Sequence, residues 1–259
     1  MPIEIIRGEP FHIRIDGPDN APVLMLSNSL GTNLSMWDPQ IPAWSQTFRV
    51  LRYDSRGHGQ STAPDTPYTI AQLGTDALAI LDHFGIERAH WCGLSKGGMV
   101  GQWLACNAPD RLGRVVLANT AAHMGPPSLW DGRIATVRNQ GMAPLVQPVL
   151  ERWFSRDFIE RDTATVAAVR AMLETTPPLG YANCCAAIRD MDQREAIRAV
   201  TNPVLVIVGT LDPATPPAAG RLISVSIPGA RLVELEAAHL SNLEQPAGFT
   251  TAVRDFLTA

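Results

Sequence analysis

The chain has 259 residues, 46% of them hydrophobic, and a formal net charge of −4 at pH 7. This size and composition predict one globular α/β domain with an insertion, and the lack of a basic tract argues against a nucleic-acid-binding or anionic-membrane-binding protein. Without a run of about 18 apolar residues or a signal-peptide pattern, the sequence predicts a cytoplasmic protein. Its four cysteines lack metal-ligand spacing, so reduced thiols and no metal site are expected.

Strands and helices alternate in the first part of the chain. An antiparallel hairpin is expected around Gly8-Glu9-Pro10, and the amphipathic helix that follows Thr69 ends at Gly85. The predicted strands here lie at residues 3–6, 11–15, 23–26, 48–53, 89–94 and 115–119, and the predicted helices at 69–84 and 96–108. This alternation is typical of a mostly parallel sheet with helices on both faces.

The segment from His90 to Val100 contains a Gly-x-Ser-x-Gly pattern at Gly93, Ser95 and Gly97. The serine lies where a predicted strand turns sharply into a predicted helix, which is the setting of a nucleophile elbow. Small residues on either side allow the backbone to crowd around a strained serine, and the helix directs free N–H groups at it. A glycine-rich turn with an idle serine is the alternative interpretation.

The alternation stops between residues 123 and 190. No strand pattern is found in this block, and its helical patterns are separated by prolines: residues 130–139, 145–153, 166–173 and 181–188. The insertion predicts a helical cap over the carboxyl ends of the strands, where α/β sheets bind ligands, and the core is then residues 1–122 and 191–259. An enlarged crossover that only packs on the sheet is the alternative.

The α/β pattern resumes after the insertion, with strands predicted at 203–209 and 232–235 and helices at 218–226 and 246–257. A serine nucleophile needs a histidine base held by a carboxylate, and Asp212 and His239 each follow one of these strands. Ser95, Asp212 and His239 therefore form the candidate catalytic set. Considered alone, Asp212 could be only a turn residue and His239 only a loop residue. Asp54, Asp190 and Asp192 fit the carboxylate role less well.

Several motifs together resemble the α/β-hydrolase superfamily over nearly the whole chain. They are Gly93-Leu94-Ser95-Lys96-Gly97, Asp54-Ser55-Arg56-Gly57-His58-Gly59-Gln60-Ser61, Gly209-Thr210-Leu211-Asp212 and Ala238-His239. Within that superfamily, Ser27-Asn28-Ser29-Leu30-Gly31-Thr32 followed by Met36-Trp37 resembles the 3-oxoadipate enol-lactone hydrolases of aromatic-compound catabolism. The pair Asn28-Ser29 replaces the usual His-Gly pair, which favours the lactonase branch over general esterases.

The resemblance implies an α/β-hydrolase fold and a role for each candidate residue. Ser95 would be the nucleophile, His239 the base and then the acid, and Asp212 the orienting carboxylate. The N–H groups of Leu30 and Lys96 would form the oxyanion hole. The implied enzyme needs no cofactor and opens a small anionic lactone through an acyl-enzyme. The rivals are a carboxylesterase, a C–C bond hydrolase or a non-catalytic ligand receptor, and the oligomeric state stays open.

The predicted cap contains a candidate partner for the carboxylate of such a substrate. Arginine can hold a carboxylate in two hydrogen bonds, and Arg133 lies one helical turn after Trp130, so both could line one pocket. A surface arginine beside a core tryptophan is the alternative. The remaining arginines of the predicted cap are expected to be mostly solvated: Arg138, Arg152, Arg156, Arg161, Arg170 and Arg189.

Three further residues in the motifs are expected to have structural or passive roles. The loop Arg56-Gly57-His58-Gly59 predicts a tight turn in which Arg56 bonds loop carbonyls and His58 is not catalytic. For the Lys96 side chain, solvation is favoured over attraction to an anionic ligand.

Overall fold

The computed structural model describes residues 3–259 and contains one eight-stranded sheet. The strands are β1 (Ile3–Ile6), β2 (Glu9–Asp16), β3 (Val23–Ser27), β4 (Arg49–Tyr53), β5 (Ala89–Leu94), β6 (Leu112–Ala118), β7 (Val204–Gly209) and β8 (Arg231–Leu235). Their order across the sheet is β1-β2-β4-β3-β5-β6-β7-β8. The expected mostly parallel sheet is confirmed, because only the pairs of β2 with β1 and with β4 are antiparallel.

The strand order reverses between β3 and β5. The chain moves from β3 outward to β4 on one side, and from β5 outward through β6, β7 and β8 on the other. The loops after β3 and β5 diverge at such a reversal and leave a crevice at the carboxyl ends of the strands. These two loops begin at Asn28 and Ser95, so the crevice lies beside the predicted elbow.

Helices cover the sheet and the ends of its strands. They are α1 (Ile41–Trp44), α2 (Ile70–His83), α3 (Lys96–Asn107), α4 (Pro127–Gln140), α5 (Ala143–Trp153), α6 (Arg156–Arg161), α7 (Thr163–Thr175), α8 (Pro178–Arg189), α9 (Pro217–Ser226), α10 (Ser241–Glu244) and α11 (Pro246–Thr258), with short 3-10 helices at 34–40, 109–111 and 196–199. The sequence did not predict α1, α6 and α10, which are six residues or shorter. Short helices give too few turns for a periodic pattern.

Burial explains why the central strands are apolar throughout. Every residue of β7, Val204–Gly209, is buried, as expected for a parallel strand covered on both faces. The edge strand β8 is partly exposed and more polar. Thr69 caps the N-terminus of α2 by accepting the Gln72 N–H at 3.0 Å, as its position in the sequence predicts.

Five helices, α4 to α8, connect β6 to β7. The two ends of this insertion lie side by side, because His123 and Asp192 form an isolated antiparallel bridge and the Gln193 N–H donates to the Ala122 carbonyl oxygen at 2.8 Å. The insertion therefore leaves and rejoins the sheet through one narrow connection. We refer to α4–α8 as the cap; the division of the chain into core and cap at residues 122/123 and 190/191 stays a prediction.

All four cysteines are free. No helix within residues 3–259 combines the length and the apolar character needed to cross a membrane.

Candidate active site

Ser95 lies in the tight turn between β5 and α3. Its φ of 58° and ψ of −115° fall in a region that residues other than glycine rarely adopt. A Cβ atom added at Gly93 would lie 2.1 Å from the Gly97 carbonyl oxygen, and one added at Gly97 would lie 2.0 Å from the Ser27 carbonyl oxygen. Only glycine fits at these two positions, so the turn has the backbone geometry of a nucleophile elbow.

Hydrogen bonds fix Ser95 to its neighbours. Its N–H donates to the Ala118 carbonyl oxygen at 2.9 Å, and its carbonyl oxygen accepts from the Thr120 hydroxyl at 2.8 Å. The Gly97 N–H donates to the Asn28 carbonyl oxygen at 3.1 Å, which ties the start of α3 to the loop after β3. Ser95 is thus held at the crevice between β3 and β5.

His239 and Asp212 follow β8 and β7, and the His239 Nδ1 atom lies 2.8 Å from Asp212 Oδ2. The carboxylate also accepts the N–H groups of Ala214 and Thr215, at 2.7 and 3.0 Å, and the Thr215 hydroxyl at 2.7 Å. Burial raises the pKa of Asp212, but His239 and these hydrogen bonds outweigh burial and bring the pKa below its ordinary value. An ionised Asp212 favours the His239 tautomer whose Nε2 can accept a proton.

Asn119 is a polar residue of the site that the sequence analysis missed. It follows β6 with a φ of 42°, and its Nδ2 atom donates to Asp212 Oδ2 at 3.1 Å and to the Ala238 carbonyl oxygen at 3.2 Å. Its Oδ1 atom accepts from the Ser241 hydroxyl at 2.6 Å. Asn119 therefore orients Asp212 and the segment before His239. The available signal was an asparagine directly after a buried strand.

A cavity of about 350 Å³ lies between the strand ends and the cap. Leu30, Ser95 and His239 line it from the core, and Trp130 and Arg133 line it from the cap. No hydrogen bond joins the Ser95 hydroxyl to His239 in the part of the chain that the structure describes. Such bonds are often long in free enzymes and shorten when substrate binds.

Asp212 and Lys96 do not line this cavity. Asp212 lies on the far side of His239, where an orienting carboxylate belongs. On the cap side, the Trp153 ring packs against the His239 imidazole at a centroid distance of 5.9 Å, and the Leu240 N–H donates to the Trp153 carbonyl oxygen at 3.1 Å. The cap helix α5 thus restrains the position of His239.

The N–H groups of Leu30 and Lys96 flank the crevice, and neither has an acceptor among residues 3–259. The following residue, Gly31, donates its N–H to His58 Nε2 at 2.7 Å. Because Nε2 accepts, the proton of a neutral His58 lies on Nδ1, which is 3.2 Å from the Arg56 carbonyl oxygen. Burial and nearby Lys96 hold the pKa of His58 well below its ordinary value. A neutral His58 therefore supports the loop that contains Leu30.

The expectation that Arg56 bonds loop carbonyls is wrong. Its guanidinium instead forms two hydrogen bonds with the Asp76 carboxylate on α2, from Nε at 2.7 Å and from Nη2 at 2.8 Å. The planar guanidinium matches both oxygens of a carboxylate, which a single carbonyl cannot offer. The loop is thereby held to α2.

The expectation of a solvated Lys96 side chain is also wrong. Lys96 is 1% exposed, and its ammonium donates to the Ser55 hydroxyl. Because α3 begins at the middle of the sheet, the loop after β4 and the cap helix α8 cover this side chain. Burial lowers the pKa of Lys96, and the nearby Asp54 carboxylate opposes this change. The side chain acts as an internal contact rather than as a ligand of the cavity.

The structure brings the side chains of Trp130 and Arg133 together. The Arg133 guanidinium lies 5.1 Å from the centre of the Trp130 ring, and its Nη1 atom is 3.4 Å from the Tyr181 hydroxyl. Arg133 is half-buried and faces the cavity. Arg152, for which a solvated side chain is expected, is exposed but lines the same cavity. A helical pattern alone does not show which arginines face inward.

Comparison with known proteins adds independent findings. A family profile described as alpha/beta hydrolase fold matches residues 22–246. The chain is 45% identical to 3-oxoadipate enol-lactonase 2 of Acinetobacter baylyi over 92% of this chain and 89% of that protein, and 38% identical to 3-oxoadipate enol-lactonase 1 of the same organism over 97% and 94%. The crystal structure of the enol-lactonase from Burkholderia xenovorans LB400 is 49% identical, covers 100% of both chains and superposes with a TM-score of 0.98. The chain belongs to the α/β-hydrolase family.

Proposed function

We propose that this chain is a cofactor-independent serine hydrolase that opens 3-oxoadipate enol-lactone to 3-oxoadipate in aromatic-compound catabolism. The observation that carries the proposal is one cavity lined by Ser95, His239 and Arg133, with Asp212 bound to His239. These groups supply a nucleophile, a base and a cation for an anionic substrate. The relatives named as enol-lactonases support the choice of lactone.

The reaction begins when the Ser95 hydroxyl oxygen attacks the lactone carbonyl carbon and its proton moves to His239 Nε2. The carbonyl oxygen becomes an oxyanion, which the Leu30 and Lys96 N–H groups stabilise. Loss of one such donor costs about 2.7–4 kcal/mol of transition-state stabilisation in a comparable site. Collapse of the intermediate breaks the ring C–O bond, the departing enol oxygen takes the proton from His239 Nε2, and an acyl group remains on Ser95. The released enol rearranges to a ketone while it is still attached.

Deacylation uses the same groups in a second cycle. His239 takes a proton from a water molecule, the resulting nucleophile attacks the acyl carbon, and His239 returns the proton to Ser95 as the C–O bond breaks. An enol is a good leaving group and needs little acid assistance, so we expect deacylation to limit the rate as much as acylation does. The net reaction consumes one water and creates a second carboxylate.

Arg133 provides the contact for the carboxylate of the substrate. A carboxylate in a mostly apolar cavity must be paired, because an unpaired buried anion is costly. Arg133 is half-buried, forms no salt bridge within residues 3–259 and donates only to the Tyr181 hydroxyl. The Trp130 face beneath the guanidinium fixes its plane. The substrate would therefore bind with its ring carbonyl at Ser95 and its carboxylate toward α4.

The proposal is tested by product analysis on three substrates: 3-oxoadipate enol-lactone, a p-nitrophenyl ester and a dienol diketone. We expect fast turnover of the lactone with 3-oxoadipate as the product, slower turnover of the ester and none of the diketone. Preference for the ester would indicate a carboxylesterase, and cleavage of the diketone would indicate a C–C bond hydrolase.

A fluorophosphonate probe separates an enzyme from a ligand receptor. The expected result is a covalent adduct on Ser95, located by peptide mass spectrometry, with no adduct in Ser95→Ala. Absence of the adduct in the natural protein would contradict the proposed nucleophile. The cytoplasmic location stays a prediction.

A further inference from the structure

Arg152 is a second cation on the wall of the same cavity. It lies near the end of α5, directly before Trp153, whose ring packs against His239. Its guanidinium donates one hydrogen bond, from Nη2 to the Pro213 carbonyl oxygen at 3.2 Å. Since a guanidinium has five N–H donors, most of those on Arg152 have no acceptor in the part of the chain that the structure describes.

Most other arginines of the cap differ from Arg133 and Arg152 in their partners. Arg138 pairs with Asp65 at 2.9 Å, Arg156 with Glu160 at 3.2 Å, and Arg189 with Asp131 at 2.7 Å. Neither Arg133 nor Arg152 forms a salt bridge to a carboxylate within residues 3–259. The two arginines that line the cavity therefore both lack an anion.

The two uncompensated charges also act on each other. Arg152 is only partly desolvated, and this partial burial and the nearby Arg133 lower its pKa, while Asp212 opposes this change. Both guanidiniums stay protonated at neutral pH, so their repulsion persists. Placing two like charges in one cavity raises the energy of the folded protein unless an anion enters between them. This arrangement is expected where the anion is a ligand.

We propose that Arg133 and Arg152 together form one carboxylate-binding subsite, in which Arg152 is a substrate-binding residue. A carboxylate has two oxygens with about four lone-pair positions and can accept hydrogen bonds from both guanidiniums. The inference rests on the proposed function, because the carboxylate is that of the anionic lactone. It extends that function by assigning a second cation on a different cap helix, α5 instead of α4.

Because Arg133 and Arg152 differ in burial, we expect them to contribute differently to binding of the carboxylate. Arg133 is half-buried, so its hydrogen bonds to the carboxylate form in a poorly solvated setting and contribute more. Arg152 is exposed, so water and salt screen its charge. We therefore expect Arg152 to act mainly on capture of the anion, through KM, and to do so less at high ionic strength.

The test compares Arg152→Gln and Arg152→Lys with Arg161→Gln, measured on the anionic lactone and on the methyl ester of its free carboxylate. Arg161 is the matched control, because it is an exposed cap arginine that forms no salt bridge within residues 3–259 and lies outside the cavity, over the Phe158 ring. For Arg152→Gln we expect kcat/KM on the anionic lactone to fall about 10-fold at low salt, through KM, and less at high salt. Arg152→Lys should retain most of the activity, and the methyl ester should be unaffected.

A loss in Arg152→Gln that is equal on the lactone and its methyl ester would overturn the inference, since it would indicate a packing role beside Trp153. Activity equal to that of Arg161→Gln would also overturn it. In either case, turnover of the lactone by the natural protein would leave the proposed function intact.

A binding measurement tests the subsite without turnover. Adipate, a dicarboxylate of product length, should raise the Tm of the Ser95→Ala protein, and the added change Arg152→Gln should reduce that shift while Arg161→Gln should not. If lactone turnover were absent but this pattern were seen, the subsite would stand and the proposed reaction would fail. Equal shifts in both double variants would contradict the subsite.

Discussion

The core and the cap use their polar groups in opposite ways. In the core, the Asp212 carboxylate accepts five hydrogen bonds, from His239, Asn119, Ala214 and both donors of Thr215. In the cap, the Arg133 guanidinium has one long hydrogen bond, to the Tyr181 hydroxyl, among the residues that the structure describes. A group that must hold one geometry through a reaction is saturated with partners, whereas a group that must receive a ligand keeps its donors free.

This difference suggests that the core residues carry out catalysis and that the cap residues select the substrate. The backbone of the strand ends fixes the candidate catalytic groups, so they should act on any ester that reaches them. On the proposed function, the cap side chains would decide which ester binds there with a favourable free energy. Changes in the core should therefore affect all substrates equally, and changes at the cap arginines should affect only anionic ones.

The largest expected effect is loss of the nucleophile. Ser95→Ala and His239→Ala should each reduce kcat by roughly 10⁴- to 10⁶-fold on the lactone and on its methyl ester, because triad members act as a unit. The double variant should be little worse than either single variant. Circular dichroism should show a folded protein in each case. Losses that multiply in the double variant would contradict a shared mechanism.

The next largest effect is on folding of the elbow. Gly97→Ala places a Cβ atom 2.0 Å from the Ser27 carbonyl oxygen, a backbone atom that cannot move aside, so we expect severe destabilisation in urea unfolding. Gly132→Ala in α4 is the matched control, since its Cβ atom meets nothing within 4 Å. That change should raise the free energy of unfolding by about 0.5–1 kcal/mol. A mild effect at Gly97 would mean that the elbow can relax.

A smaller effect concerns acid stability and comes from His58. Burial, with nearby Lys96, keeps the pKa of His58 well below 6.5 in the folded protein, so below pH 6.5 the unfolded chain binds a proton that the folded protein does not. Above pH 6.5, His58 is neutral in both the folded and the unfolded protein, so it does not lower the free energy of unfolding there. Below pH 6.5, the free energy of unfolding should fall by about 1.4 kcal/mol per pH unit until the pH reaches the pKa of His58 in the folded protein.

The variant His58→Gln should remove this slope, because glutamine can still accept the Gly31 N–H without a proton to gain. His83→Gln changes a partly exposed histidine and serves as the control, which should keep the slope of the natural protein. The measurement is urea unfolding between pH 5 and 7. An unchanged slope in His58→Gln would show that another group titrates.

The sequence was sufficient for features that depend on local pattern and chain order. The strand at 89–94 coincides with β5, and the glycines of the elbow are read directly from their spacing to Ser95. The cap helices are found where the 3.6-residue periodicity is long enough, which is why the six-residue α6 was missed.

Features that depend on packing between distant segments were not accessible. Because lysine is rarely buried, the sequence predicts a solvated Lys96, whereas the loop after β4 and α8 cover this side chain in the structure. Asn119 orients Asp212, which lies 93 residues further along the chain, and Arg56 binds the Asp76 carboxylate on α2. No local pattern encodes such partners.

The most direct test of the separation between core chemistry and cap selection is the ratio of kcat/KM for 3-oxoadipate enol-lactone to that for the methyl ester of its free carboxylate. In the natural protein we expect the anionic lactone to be preferred by about 30-fold or more, which corresponds to about 2 kcal/mol for a paired charge. In Arg133→Gln most of this preference should disappear through loss of activity on the anion, with the methyl ester unchanged. Equal rates on both substrates in the natural protein, or an unaltered ratio in the variant, would contradict the account.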